Sequence, residues 1–223
     1  MSEWWTYTLS DFLMFAPRTY TRLVELHNRD LWPLHALALL LGVAALLLAN
    51  DGKRWKGRAV CAILALAWWF VAWAFHHERY ATINTAAGYF AVAFAFQSFL
   101  LLMAGAVAGK VVFRRSTHPV ACFGLAIAAL ALLAYPFAAV AFGREIASSE
   151  VFGIAPDPTA VMTLGLLLLV SGPARWLLLA IPLLWCAVSG ATLWTMGVPE
   201  ASVMLTTGLL MLVMGLWKSR VQE

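Results

Sequence analysis

The feature that most restricts this chain is its series of long apolar runs divided by short charged turns. The runs lie near residues 31–49, 59–75, 83–109, 119–142, 157–172, 176–196 and 202–217. About 18 or more apolar residues let a helix cross a bilayer with every backbone N–H and C=O bonded inside the segment. Barrel strands would alternate apolar and polar residues, and these runs do not. Soluble domains are about one-quarter charged. Here 63% of residues are hydrophobic, 12% are charged and the mean hydropathy is +0.82. The expected fold is all-α, a polytopic transmembrane helical bundle of about seven spans. The fifth run is short, and a re-entrant hairpin is the alternative for it.

Residues 1–30 read as an N-terminal interfacial amphipathic segment, 31–217 as the bundle and 218–223 as a cytoplasmic tail. Ser10 or Asp11 would cap a short DFLMF helix, and Pro17 would open a second. Arg18, Arg22, Glu25 and Arg29 fall on one face of that second helix, and Tyr20, Leu23, Val24, His27 and Leu31 on the other. Such a helix lies in the membrane surface, here with Trp4 and Trp5 nearby. No basic n-region precedes an apolar core, so no cleavable signal is expected. The Asn50-Asp51-Gly52 turn ends the first span.

With the N-terminus outside, Lys53, Arg54, Lys56, Arg58, Lys110, Arg114, Arg115, Arg175, Lys218 and Arg220 all fall inside. Five basic residues remain outside: Arg18, Arg22, Arg29, Arg79 and Arg144. The positive-inside rule favours that orientation in a bacterial inner membrane. The formal net charge of +4 thus reports topology, and no nucleic-acid partner is implied. The expected partners are the bilayer and a second copy or other membrane subunits.

No Asp, Glu, Lys or Arg falls deep in a run, which argues against ion-coupled pumps. The loop 143–158, with Arg144, Glu145, Glu150 and Asp157, reads as the most acidic stretch and as external. No run carries a lysine for a retinal Schiff base. No later histidine serves Ser171 or Ser189 as a protease base. Cys61, Cys122 and Cys186 form no CxxC and read as small buried residues.

Four of the five histidines gather near the outer ends of the first two runs. His35, Trp73, His77, Tyr80 and Asn84 form a candidate ligand-binding set, since His77, Tyr80 and Asn84 recur at helical steps of three and four. His27, His35, His76 and His77 form an alternative metal or haem set, although no HExxH or i,i+4 pair supports it. No cofactor is expected on the leading reading. Trp69, Trp73, His76 or His77, and Tyr80 make an aromatic stripe. In the third run Asn84, Gly88, Ala91, Ala95, Ser98, Gly105 and Gly109 form a seam of small residues ending in a GxxxG. Gln97 lies opposite Asn84 and needs a partner, in a second groove or on another subunit.

The stretches ELHNRDLWP at 25–33, ERYATINTAAGYFAVAFAFQS at 78–98, FGIAPDPTAVMTLGLLLL at 152–169 and IPLLWCAVSG at 181–190 resemble a bacterial family of multi-pass membrane proteins, domain of unknown function 6064. The resemblance implies an inner-membrane protein of six or seven helices and brings no catalytic residue with it. The expected function is a permease-like or small-solute-binding membrane component with an outer-face polar pocket. The alternatives are a metal- or haem-binding redox protein and a structural subunit.

Overall fold

The computed structural model describes residues 15–49, 52–114, 118–172 and 174–221. The expectations for Trp4, Trp5, Ser10, Asp11, the DFLMF helix, Asn50, Asp51 and Arg115 lie outside the described residues.

The architecture is all-helical. Helix α1 is Pro17–Leu31 and α2 is Leu34–Leu48. Arg54–Phe70 forms α3, which runs on through wider π turns over Val71–His77. Ala87–Leu100 forms α4, extended by a second π stretch, Leu101–Val107. Then come α5 (Pro119–Leu133), a 3-10 turn at Tyr135–Phe137, α6 (Ala138–Ala141), α7 (Pro156–Leu167), α8 (Ala174–Thr195) and α9 (Glu200–Val221). Among the described residues, four helical stretches are long and apolar enough to cross a membrane, or up to six if each bent pair counts as one.

Helix α1 meets α2 at 89°. Pro17 opens it, and Tyr20, Leu23, Val24 and His27 are its buried side, the face that the spacing predicts. It packs on the short turn Ile146–Ser148, which bends back beneath it. Asn28 Nδ2 fixes the contact by donating to Ala147 O at 2.8 Å and Ser149 O at 2.7 Å. Arg79 pairs with Asp30 and ties α1 to the end of α3.

The centre of the bundle is α7, all twelve residues of which are buried. It packs against α5, α8, α9 and α3. A twelve-residue helix is only about 18 Å long. Its N-terminus is suited to burial, because Pro156 and Pro158 remove two backbone donors that would otherwise lack partners. Thr159 Oγ1 accepts from Gly153 N at 2.8 Å and donates to Ala155 O at 2.7 Å. The α5–α7 crossing is a reciprocal glycine contact. A Cβ on Gly124 would stand 2.5 Å from Gly165 O, and one on Gly165 would stand 2.5 Å from Gly124 O. Backbones meet there with no room for a side chain.

The small-residue seam of α4 is only half as expected. Gly105 is a close approach, since a Cβ there would meet Cys61 Sγ at 2.2 Å. Ser98 Oγ donates to Ala65 O at 2.7 Å. Gly88 faces open space instead. Gly109 lies past the helix end at φ 60°, so it terminates α4 rather than packing it. Cys61 and Cys186 are buried, while Cys122 faces outward.

Gln97 has an internal partner in place of a second groove or another subunit. Pro182 sits inside α8 and has no N–H for the carbonyl of residue 178. Gln97 Nε2 donates to that Leu178 O at 2.9 Å.

Basic residues close the opposite end. Arg54 Nε reaches Gly109 O at 3.1 Å and Arg58 Nη2 reaches Val107 O at 2.7 Å, at the C-terminus of α4. Lys218 Nζ donates to Leu168 O at 2.7 Å and Val170 O at 2.8 Å, just past α7. Cations at helix C-termini satisfy free carbonyls and oppose the helix dipole.

Candidate functional site

Folding draws the acidic loop inward. Glu150 is 7% exposed and Asp157 2%, so the expectation that no acid lies deep in the fold is corrected. The short turn at Ile146–Ser148 and the buried start of α7 carry both carboxylates under α1.

Asp157 is held on three sides. Its Oδ1 accepts from Trp185 Nε1 at 2.8 Å and from Ser189 Oγ at 2.8 Å. Oδ2 faces the same serine hydroxyl at 2.8 Å and the Tyr135 hydroxyl at 3.4 Å. Position 157 lies in the first turn of α7, where the helix dipole favours a negative charge. Ser189 and Trp185 stand six and ten residues before Thr195, the end of α8, so about 9 and 15 Å along its axis. Asp157 is therefore well below the end of the bundle.

Glu150 is held more loosely. The Tyr20 hydroxyl donates to its Oε1 at 3.4 Å, and its Oε2 is buried with no hydrogen-bond partner. Burial pushes the Glu150 carboxyl above the usual carboxylate range, and the nearby Asp157 charge pushes the same way. Burial first, and then Glu150, hold the Tyr20 phenol well above its ordinary value. At the rim, Arg144 Nε stands 2.9 Å from Glu200 Oε1. These residues line one cavity of about 30 Å³, room for a water or two. Three carboxylates and one guanidinium thus surround it.

The residues expected from the sequence mostly do not converge. Tyr80 is buried, and Asn84 interacts with it. Asn84 Oδ1 also accepts from Ala86 N at 2.9 Å. Trp73 is 55% exposed and His77 lies outside as well. The continuous turn assumed for His77, Tyr80 and Asn84 is broken, because the π stretch ends at His77 and a 3-10 turn covers Tyr80–Thr82. His35 Nε2 meets Asn28 Oδ1 at 3.2 Å. His27 is bonded through Nε2 to Ile154 O at 3.2 Å, and burial depresses its pKa to about 4. His76 is enclosed by aromatic rings. Among the described residues no three His, Cys, Asp or Glu side chains are grouped to hold one metal ion. The aromatic stripe splits too: Trp69 and Trp73 face out, His76 and Tyr80 in.

A family model covers residues 18–223 of this chain, and with them every residue of the site. The chain belongs to the family of unknown function DUF6064. No curated protein and no solved structure matches it. The DUF6064 site is therefore read from its own chemistry. A signal for it was present in the sequence: an acid between two prolines, APDP, opens an apolar run too short to cross a bilayer alone.

Proposed function

We propose that this protein is a proton-binding, permease-like membrane component whose site is the Glu150–Asp157 pair beneath α1. The observation that carries the reading is the charge balance of the cavity. Arg144 stands against Glu200 and its charge also acts on Glu150 and Asp157, so three carboxylates share the one cation that lines the cavity. Two carboxylates in a low-dielectric site do not both ionise; one keeps a proton. An ionisable group inside a membrane bundle marks an ion or proton site by default. The small cavity suits water and a proton better than an organic solute. Tyr20, on α1, stands between the pair and the outer surface.

In this reading the chain crosses a bacterial inner membrane seven times, with α7 as the fifth and internal crossing. The N-terminus lies outside and the C-terminus inside. Helix α1 lies across the outer surface and closes the cavity from that side. A second copy or a partner subunit would cover part of the apolar exterior.

Infrared difference spectra of the detergent-purified protein, recorded between acid and alkaline pH, test the proposal. A protonated buried carboxyl gives a C=O stretch apart from the amide bands. The wild type should show such a titrating band, reduced in both Glu150→Gln and Asp157→Asn. A wild-type spectrum without it would overturn the proposal.

A further inference from the structure

His76 lies where the carboxylate pair meets the interior of the bundle. It is fully buried, and neither Nδ1 nor Nε2 has a hydrogen-bond partner. An imidazole always carries at least one N–H, and leaving a buried donor or acceptor unmade costs about 1–3 kcal/mol. A phenylalanine would fill this space without that cost. The backbone is also unusual, because His76 falls within the π turns Val71–His77, and such widened turns are frequent at functional sites.

The ring sits in an aromatic box. Phe94 stands 4.4 Å from the imidazole between centroids, Trp185 5.0 Å and Phe75 5.4 Å. Phe90 and Tyr80 follow at 6.0 Å each. Burial in such a box costs a charged imidazole its hydration, and aromatic faces, which attract cations, offset part of that cost. Trp185 joins the two sites. One side of its indole packs on His76, and its Nε1–H is bonded to Asp157 Oδ1.

The orphaned atoms continue inward. Three residues after Phe94 on α4, Gln97 spends its Nε2 on Leu178 O and leaves Oε1 buried and unpartnered. Glu150 Oε2 at the cavity, the two nitrogens of His76 in the box and Gln97 Oε1 on α4 are thus all buried and unpartnered. A water bound at any of them would supply the missing bond.

We infer that His76 is a proton station on a path from the Glu150–Asp157 pair toward the opposite end of the bundle. The inference rests on the proton-binding reading above. A carboxyl O–H gives its proton through a bridging water to the neutral imidazole, breaking O–H and forming N–H. The ring then releases the proton on its other nitrogen to a water held by Gln97 Oε1, which returns the imidazole to neutrality. Gln97 orients that water and takes no proton.

The experiment is proton flux into liposomes of phosphatidylethanolamine and phosphatidylglycerol. A trapped pH-sensitive dye reports the flux, which a valinomycin-set potassium potential drives. Wild-type protein should carry protons, and both His76→Phe and His76→Gln should lower the flux at least tenfold. Both variants should keep the titrating carboxyl band and a wild-type melting temperature, since neither alters the pair. Gln keeps hydrogen bonding and Phe keeps the packing, so a structural role would spare flux in at least one of them. Unchanged flux in either folded variant overturns the inference. So does a wild type that shows the carboxyl band and carries no protons, an outcome that leaves the proton-binding reading standing. Loss of the band itself overturns both.

Discussion

At the scale of residues, Glu150 and His27 make opposite demands on pH. The folded Glu150 binds its proton more tightly than the unfolded carboxyl, whose ordinary value is 4.5. Its contribution is therefore best below that value and is lost as pH rises through the raised folded pKa. His27 is neutral when folded, with its pKa depressed from 6.5 to about 4. Its contribution is complete above 6.5 and disappears as pH falls toward about 4. Melting curves in detergent between those two values should show His27→Gln losing less stability than the wild type on acidification, by on the order of 3 kcal/mol. Glu150→Gln should lose less on the alkaline side. Curves that run parallel to the wild type in both variants would remove these assignments.

Both residues show why the site was only partly legible. His27 was visible as a member of the apolar face of α1, because a helix in a membrane surface keeps a strong amphipathic signal. Glu150 and Asp157 read as loop residues because they sit among Gly, Ser and Pro. The burial of Glu150 depends on α1 folding over residues 146–150, a contact between segments more than a hundred positions apart, and that of Asp157 on Trp185 and Ser189 of α8.

At the scale of elements, hydropathy located the helices but not their insides. Lipid-facing and protein-facing sides of a membrane helix are equally apolar, so α7, rich in leucine, looks like its exposed neighbours. The role of Gln97 was hidden for a related reason, since its partner is a carbonyl freed by Pro182 on another helix. That pairing yields a double-mutant test. Gln97→Leu should cost about 1–3 kcal/mol by leaving Leu178 O unbonded. In a Pro182→Ala background the restored backbone N–H takes over that carbonyl, and Gln97→Leu should cost far less. Equal losses in the two backgrounds would show that the amide acts in some other way.

At the scale of the molecule, the helix ends fall into two chemically distinct sets. The end near α1 gathers the carboxylates, Tyr20 and Tyr135. The other gathers Arg54, Arg58, Arg175 and Lys218 on helix C-termini and carbonyls. Orientation can be checked by replacing the three native cysteines with serine and adding one exposed probe. Glu145→Cys should react with a membrane-impermeant maleimide on intact cells, and Lys110→Cys only after the membrane is opened. The reverse pattern would invert the orientation. The sequence already held this asymmetry, because short basic turns alternate with acidic ones. It held nothing about the order in which the helices surround α7, of which the α5 crossing rests on the contact between Gly124 and Gly165.

That enclosure has a mechanical consequence. Spanning helices tilt, and the bilayer thins or thickens around them, when hydrophobic lengths disagree. Helix α7 touches protein on every side and presents no surface to lipid. In the proposed membrane setting, tilting of the outer helices would reach Asp157 only through the contacts of α7 with α5, α8, α9 and α3. On the proposed topology the outer helices would form a sleeve that adapts to the lipid, with the core helix held at one depth inside it.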